Sequence, residues 1–237
     1  MLIIIDSRLP DAIANYLNTF GSVFELESSG IVYESICGHP DIFMFQKDHL
    51  VIVAPNSPKA LIEKLKKHRI PFLRGREKLG MNFPETAWYN AVSNSRYLIH
   101  RHQYTSICIL RQTTCLPAGK ADKEFLNVPQ AYTRCNLISL PDGSFITSDE
   151  GIDKSLKKYG LDVHYFDSQD IVLNGEDHGF LGGALGLFND ELFIIGSLDH
   201  YSQGEKLKEL LESKSLKYHE LYHGPLIDGG GIFFLEE

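Results

Sequence analysis

Short apolar runs joined by polar turns recur along the chain and predict a repeated strand–strand–helix unit. Each copy begins with a short strand, passes a polar hairpin tip and continues into a second, more apolar strand. Three clear copies and one weaker copy occupy residues 38–53, 134–147, 181–195 and 85–100. Asp142-Gly143 at one tip is a strong hairpin-turn dipeptide. The pattern therefore indicates several similar small sheets.

A fifth copy is divided between the two ends of the sequence. Residues 228–237 match residues 38–47, and the apolar run 2–5 supplies the missing second strand. Equivalent positions follow one another at steps of 45, 50, 47 and 48 residues, with 47 across the ends. These positions are Asp41, Thr86, Asn136, Gly183 and Gly231. Five nearly equal steps predict a closed ring, because closure removes exposed sheet edges.

We therefore expect one α/β domain over residues 1–237, a five-bladed β/α propeller whose last blade is closed by both termini. The predicted blades cover about residues 31–80, 81–130, 131–177, 178–224, and 225–237 together with 1–30. A helix and a short third strand should follow each hairpin. In the second blade, residues 103–125 show no clean helical period, and an irregular segment is expected there.

Composition narrows the class of protein. A hydrophobic content of 43% suffices for one large core, and the net charge of −8 argues against nucleic acid as a partner. A small cationic ligand is compatible with that charge. The opening apolar run is too short for a signal peptide or a membrane span, so no membrane is expected. Nothing in the pattern specifies an oligomeric state.

The cysteines show no paired spacing. Cys37, Cys108, Cys115 and Cys135 form no C-x-x-C motif, so the sequence predicts no metal site, no cofactor and no disulfide framework. Reduced thiols are typical of a cytoplasmic protein.

Two short motifs resemble strand motifs of a known enzyme family. Gly38-His39-Pro40-Asp41 resembles the His-x-Asp strand, and Asp228-Gly229-Gly230-Gly231 is similar to the acidic-Gly-Gly-Asp strand, of the penteins. These are the five-bladed guanidine-modifying enzymes, which include arginine deiminases, dimethylarginine hydrolases, agmatine deiminases and amidinotransferases. The pieces at Asn90, Arg134, Asp149 and His178 look most like a small bacterial family grouped with this fold, without a characterised function.

The resemblance implies covalent chemistry on a guanidinium. A cysteine thiolate attacks the guanidinium carbon, a histidine transfers protons, and carboxylates hold the cation. The chain departs from this pattern at its last strand, where Gly231-Ile232-Phe233-Phe234 contains no thiol. Cys135 is the cysteine at an axis-facing repeat position, and the neighbouring Arg134 is expected to lower its pKa.

The candidate site follows from the repeat positions. Cys135 and His39 are the expected catalytic residues. The expected substrate-binding residues are Asp41, Asp228, Glu85, Arg134, Asn136, Gly182 and Gly183. The two glycines should allow close approach. Each candidate also has a structural explanation: Cys135 as a small core residue, His39 as a partner of backbone groups, and the aspartates as caps. Asp6 and Asp149 are expected as helix caps, and His178 at the pocket rim.

Two kinds of function remain open. The first is a guanidino-group hydrolase, deiminase or amidinotransferase. The alternative is a non-catalytic binding module for a small cationic ligand or a protein partner, with a precedent in the ribosomal anti-association factor of this fold. A third possibility is a degenerate enzyme that keeps the pocket and senses a metabolite. Rapid alkylation of Cys135 at neutral pH would favour the enzyme.

Overall fold

Short strands and helices alternate along the whole described chain. The structure is a computed structural model that describes residues 1–114 and 123–236. Its strands are β1 (Leu2–Asp6), β2 (Ser22–Leu26), β3 (Met44–Lys47), β4 (Leu50–Val53), β5 (Phe72–Arg74), β6 (Val92–Ser93), β7 (Tyr97–His100), β8 (Glu124–Asn127), β9 (Leu137–Ser139), β10 (Phe145–Thr147), β11 (Val163–Tyr165), β12 (Leu185–Phe188), β13 (Glu191–Ile194), β14 (Lys217–Glu220) and β15 (Phe233–Leu235). Its α-helices are α1 (Asp11–Leu17), α2 (Pro40–Phe43), α3 (Lys59–Lys67), α4 (Ile107–Thr113), α5 (Thr133–Asn136), α6 (Glu150–Lys158) and α7 (Gly204–Ser213).

The strands form five three-stranded sheets of one design. In each sheet the middle strand pairs antiparallel with the first and parallel with the third. The sheets are β15-β1-β2, β3-β4-β5, β6-β7-β8, β9-β10-β11 and β12-β13-β14. A helix connects the second strand to the third, as a parallel connection requires. The predicted α/β repeat is confirmed.

Hairpin tips and helix faces explain why the sequence folds locally in this way. At the β12–β13 tip, Asn189 and Asp190 have φ of 50° and 59°, the left-handed conformation that a two-residue hairpin loop uses. Helix α6 buries Ile152 and Leu156, four residues apart on one face. Asp149 caps this helix by accepting a hydrogen bond from the backbone N–H of Ile152 at 2.7 Å, as the sequence predicts.

The fifth sheet contains strands from both ends of the chain. β1 pairs with β15 in an antiparallel register that places Leu2 opposite Leu235 and Ile4 opposite Phe233. The first strands of neighbouring sheets also contact one another, β3 with β6, β6 with β9 and β12 with β15. The Gln46 side chain donates a hydrogen bond to the carbonyl of Phe234 at 2.9 Å and so joins β3 to β15.

The prediction of an irregular segment over residues 103–125 is wrong for its described parts. Helix α4 lies within it and is capped by the Ser106 hydroxyl, which accepts a hydrogen bond from the N–H of Cys108. This helix buries only Ile109 and Thr113, so its sequence shows little helical period. Strand β8 also begins in this segment. The run Cys115–Gly119, singled out with it, lies outside the described residues.

The repeat positions lie on short helical turns before the first strands, not on the strands themselves. Asp41 belongs to α2, Cys135 to α5, and Gly182 to a 3-10 turn over Gly182–Ala184. Pro40 at the start of α2 favours this turn because its φ is already helical.

The sequence alignment of the repeats was also slightly out of register. The carbonyls of Phe43, Asn136 and Ala184 accept equivalent hydrogen bonds from the residue after each second strand. Asp41 is therefore equivalent to Arg134 and Gly182 rather than to Asn136 and Gly183. Within residues 1–114 and 123–236, no helix is both long enough and apolar enough to cross a membrane.

Candidate active site

Four polar side chains from three of the five repeats meet in one buried cluster. His39, Asp41, Cys135 and Asp228 are each less than 5% exposed. One ligand atom from each of His39, Asp41 and Cys135 lies within 4.8 Å of the others. The structure therefore brings together both residues predicted as catalytic and the two aspartates predicted to bind substrate.

Asn90 holds the Cys135 thiol in place. Its side-chain amide donates to Cys135 Sγ at 3.2 Å, and its oxygen accepts from the backbone N–H groups of Arg134 at 2.7 Å and Cys135 at 3.2 Å. The thiol in turn donates to Asp41 Oδ2 at 2.9 Å. Asn90 belongs to the sequence pieces that carry the family resemblance, but it was not predicted as a site residue.

The environment keeps the Cys135 thiol protonated. Burial raises its pKa well above the ordinary value, and the nearby charges of Asp41 and Asp228 raise it further. The expectation of a lowered pKa beside Arg134 is wrong: the two charges attract each other, but burial outweighs that attraction. Among the described residues, the guanidinium makes no hydrogen bond to the thiol. The Arg134 guanidinium donates instead to the carbonyls of Gly182 at 2.6 Å and Leu185 at 3.0 Å.

His39 lies between two carboxylates. Its Nε2 is 3.8 Å from Asp6 Oδ2, and its Nδ1 is 3.8 Å from Asp228 Oδ1. Both distances exceed a hydrogen bond. Burial lowers the pKa of His39 although both carboxylates act in the opposite direction, so the free imidazole is neutral. The expectation that Asp6 is a helix cap is wrong, because its carboxylate pairs with Arg8 at 2.5 Å and faces His39.

Burial raises the pKa of both central aspartates to about 6. Asp228 is held by the backbone N–H groups of Phe180 and Gly230, each at 3.0 Å. Gly230 has a φ of +69°, and a Cβ there would lie 2.5 Å from the Cβ of His39. Glycine at 230 thus lets the turn that carries Asp228 approach His39.

A cavity of about 180 Å³ opens onto this cluster. Its polar end is lined by His39, Cys135 and Asp228, and its other walls include Tyr33 and Tyr132. The volume lies below the roughly 300–1,000 Å³ typical of drug-sized ligand sites. A small ligand, or the head group of a longer one, is the natural occupant.

Two further acid–base groups lie at the rim of this cavity. His178 lines it, as predicted, and Glu176 lines it without having been predicted. Glu176 accepts a hydrogen bond from the Ser35 hydroxyl at 2.7 Å. No sequence motif contains Tyr33, Tyr132 or Glu176. They line the cavity only because segments that are distant in sequence pack together.

Other predicted site residues serve the protein interior or the surface. Asn136 does not line the cavity; its side chain donates to the carbonyl of Tyr132 at 2.9 Å. Glu85 is exposed and is not part of the lining. A Cβ at Gly183 would lie 1.8 Å from Asp228 Oδ1, and one at Gly182 would lie 2.5 Å from the Arg134 carbonyl. The close approach at both glycines is therefore made by protein atoms, and neither glycine lines the cavity.

A second cavity of about 240 Å³ is lined by Arg134, which does not line the first cavity. Its walls include Gln46, Ser93, Arg134 and Phe233, but neither Cys135 nor His39. The Arg134 guanidinium lies 5.6 Å from the centre of the Phe233 ring. We place the chemistry in the smaller cavity, because it contains the thiol, the imidazole and a buried carboxylate together.

Solved structures of guanidine-modifying enzymes share this architecture. An inosamine-phosphate amidinotransferase from Streptomyces griseus superposes with a TM-score of 0.57 and 11% identity, covering 97% of this chain and 90% of that chain. The dimethylarginine dimethylaminohydrolase from Pseudomonas aeruginosa gives 0.55 and 8%, covering 92% and 91%. The N-terminal domain of a cyanobacterial arginine dihydrolase gives 0.55 and 10%, covering 92% and 90%. The chain therefore has the pentein fold, which confirms the resemblance found in the sequence.

Within that fold the family can be stated. The chain belongs to the family described as "Family of unknown function (DUF6873)", whose model matches residues 4–233. No curated protein sequence matches it.

Proposed function

We propose that this protein is a cysteine-dependent enzyme of the pentein type that acts on a small guanidino compound. The observation that carries the proposal is the grouping of the Cys135 thiol, the His39 imidazole and the Asp41 carboxylate within 4.8 Å, with Cys135 and His39 lining one cavity. A nucleophile, a proton carrier and a base at such separations match the requirements of covalent catalysis.

The same proposal includes a closed propeller. The contacts between first strands, the Gln46–Phe234 hydrogen bond and the β1–β15 pairing together support five units around a common axis. The candidate site then lies where the helical turns of several units converge. Closure would hold residues of distant sequence position in fixed geometry, as catalysis demands.

Asp228 is the residue proposed to hold the cation. It lines the cavity, is buried, and with a pKa of about 6 is largely ionised at neutral pH. No lysine or arginine lies within 4.0 Å of its carboxylate among the described residues. A guanidinium would supply both the missing positive charge and paired N–H donors. Glu176 adds a second carboxylate toward the rim.

Cation binding would also activate the thiol. In the free protein burial and the surrounding negative charge hold Cys135 as a thiol, and a guanidinium beside it would offset that negative charge and favour the thiolate. The thiol already donates to Asp41, which is the proposed acceptor of its proton. The nucleophile would therefore form only when a substrate is present.

The reaction then proceeds in two halves. The Cys135 thiolate forms an S–C bond to the guanidinium carbon, and the C–N bond to one amine breaks. That amine takes the proton released by the thiol, passed from Asp41 through His39. Water then attacks the thiouronium carbon, His39 accepts its proton, and the C–S bond breaks to return Cys135 with a ureido product. An acceptor amine in place of water gives transfer of the amidino group.

A thermal-shift panel of methylguanidine, arginine, agmatine, methylated arginines, citrulline and simple amines tests the proposal first. Stabilisation by a ligand follows RT ln(1 + [L]/Kd), about 2.7 kcal/mol at a hundredfold excess over Kd. We expect guanidino compounds to raise Tm and simple amines to have little effect.

Release of amine from the best ligand is then followed for wild type, Cys135→Ala and the buried-cysteine control Cys37→Ala. Only Cys135→Ala should lose turnover. A panel without any shift, or turnover that survives Cys135→Ala, would overturn the enzyme proposal and favour a binding module.

A further inference from the structure

Unpartnered polar atoms concentrate in the central cluster. Among the described residues, five buried side-chain nitrogen or oxygen atoms have no hydrogen-bond partner, and three of them are His39 Nδ1, His39 Nε2 and Asp41 Oδ1. His39 is 1% exposed and Asp41 is fully buried. Leaving such atoms without a partner is costly, so their concentration at one place points to a group that they bind.

The donor set at this place is that of a metal centre. It comprises an imidazole nitrogen, a carboxylate oxygen and a thiol sulfur, all within 4.8 Å of one another. Thiolate together with imidazole selects zinc over magnesium or calcium, which prefer oxygen ligands. Three protein ligands and one open position are the arrangement of a zinc site that also binds a water or a small ligand.

We propose that His39, Asp41 and Cys135 bind a zinc ion whose fourth position faces the cavity of about 180 Å³. Zinc–ligand bonds of about 2.0–2.3 Å place tetrahedral ligands roughly 3.3–3.8 Å apart. The cluster needs a contraction of about 1 Å at its widest separation to reach that geometry, which is within the reach of side-chain rotation. The thiol–carboxylate pair, at 2.9 Å, is shorter than this range and would open by about 0.5 Å when the metal replaces the thiol proton.

The surroundings supply the outer shell that such a site needs. Each ring nitrogen of His39 faces a carboxylate at 3.8 Å, Nδ1 toward Asp228 and Nε2 toward Asp6. When one nitrogen binds the metal, the other can donate to its carboxylate, the arrangement that orients histidine ligands. The Asn90 amide already donates to Cys135 Sγ and would stabilise a metal-bound thiolate.

Charge balance also favours a cation at this place. Zinc binding requires the Cys135 thiol to release its proton, so thiolate and Asp41 together cancel the charge of the ion. Asp6 is already paired with Arg8. The inference goes beyond the proposed function and does not rest on it. Bound zinc would occupy the thiol, the imidazole and the carboxylate that the proposed reaction uses, so that reaction would require the metal-free protein.

The test uses the full chain after chelator treatment, with cobalt as a spectroscopic probe and zinc in competition with a chromophoric chelator. We expect one equivalent of cobalt and a thiolate-to-cobalt charge-transfer absorption in the near ultraviolet. Cys135→Ser should abolish that absorption and weaken zinc binding at least about 100-fold, the upper end of what outer-shell changes cost. His39→Gln and Asp41→Asn should also weaken binding, and Cys37→Ser should leave it unchanged.

The proposal would be overturned, without reference to any variant, if the wild-type protein bound less than one equivalent of cobalt. It would also be overturned if the bound cobalt showed no thiolate charge-transfer absorption. Zinc affinity retained in Cys135→Ser would likewise overturn it. Methylguanidine binding to the metal-free protein reports separately on the proposed enzyme, so failure of one proposal is distinguishable from failure of the other.

Discussion

The Cys135 thiol donates a hydrogen bond to the Asp41 carboxylate at 2.9 Å, although 94 positions separate the two residues. Each residue lies on the helical turn before the first strand of its own sheet. The fold thus places a thiol from one repeat against a carboxylate from another.

The Asp41 carboxylate should make stability depend on pH. Its folded-state pKa of about 6 exceeds the ordinary value near 3.9. The folded state therefore binds an extra proton below pH 6, and this contribution is lost as pH rises from about 4 to 6. Asp41→Asn has no such loss. Its stability relative to wild type should increase by on the order of 2 kcal/mol between pH 4 and 7.5 in denaturant unfolding.

Asp142→Asn is a control of opposite sign. Burial, the largest single cause, raises the pKa of Asp142, but the hydrogen bonds with Lys214 and Ser144 together outweigh it and lower the pKa to about 2. That variant should lose stability relative to wild type as pH rises through the acid range. Parallel pH curves for Asp41→Asn and wild type would show that Asp41 has an ordinary pKa.

The Cys135 thiol should react slowly in the ligand-free protein. Its raised pKa leaves little thiolate at pH 7.5, so iodoacetamide should modify the half-buried Cys108 before Cys135. The Cys135 rate should rise about tenfold for each pH unit and should increase in Asp41→Asn, which removes a negative charge. Mass spectrometry of the two cysteine peptides measures both rates. Faster modification of Cys135 than of Cys108 at pH 7.5 would contradict the raised pKa.

Asn90 should be among the costliest polar residues to truncate. Its buried side chain makes hydrogen bonds to Cys135, Arg134 and the Asp41 carbonyl. Asn90→Ala leaves the Cys135 N–H without an acceptor, whereas the Arg134 N–H keeps the main-chain carbonyl of residue 90, so the cost is about 1–3 kcal/mol. Chemical denaturation compares it with Asn18→Ala, an exposed asparagine with one long hydrogen bond, which should stay within about 0.5 kcal/mol. Equal losses of stability in the two variants would show that the Asn90 side chain does not hold the helical turn α5 in place.

The rim of the cavity should select the tail of a guanidino ligand. Glu176 lines it, and no lysine or arginine does so among the described residues. A ligand with an amine tail, such as agmatine, should therefore bind several-fold tighter than 4-guanidinobutyrate, whose tail is a carboxylate. Exposure of Glu176 limits the effect to about tenfold. Calorimetry on Glu176→Gln should show the preference reduced, while Asp177→Asn, a neighbouring carboxylate outside the lining, should keep it.

The repeat and its hairpins could be predicted because their signals are local. Alternating apolar residues and tips such as Asp142-Gly143 determine each strand pair within about fifteen residues of sequence. Helix α4 was missed because it buries only Ile109 and Thr113. Glu85 was misplaced because residues 83–89 form turns instead of a strand, so the weakest copy of the repeat was aligned incorrectly.

The site was only partly predictable for a different reason. His39, Cys135 and Asp228 stand at repeat positions, and the fold brings them together. Asp6 and Asn90 act through contacts between repeats, which no local pattern encodes. The direction of the Cys135 pKa shift was wrong because burial outweighs the attraction of Arg134, whose guanidinium donates to backbone carbonyls instead of to the thiol.

The pairing of β1 with β15 also determines how the molecule would respond to a pulling force. Leu2 and Leu235 face each other at the outer end of an antiparallel pair. A force applied through the two ends of the chain would load this pair first and open its hydrogen bonds one after another. Such unzipping separates a sheet at lower force than shearing, in which all the bonds resist together. The fifth sheet would therefore be the mechanically weak element, while the central cluster would stay intact until that sheet had opened.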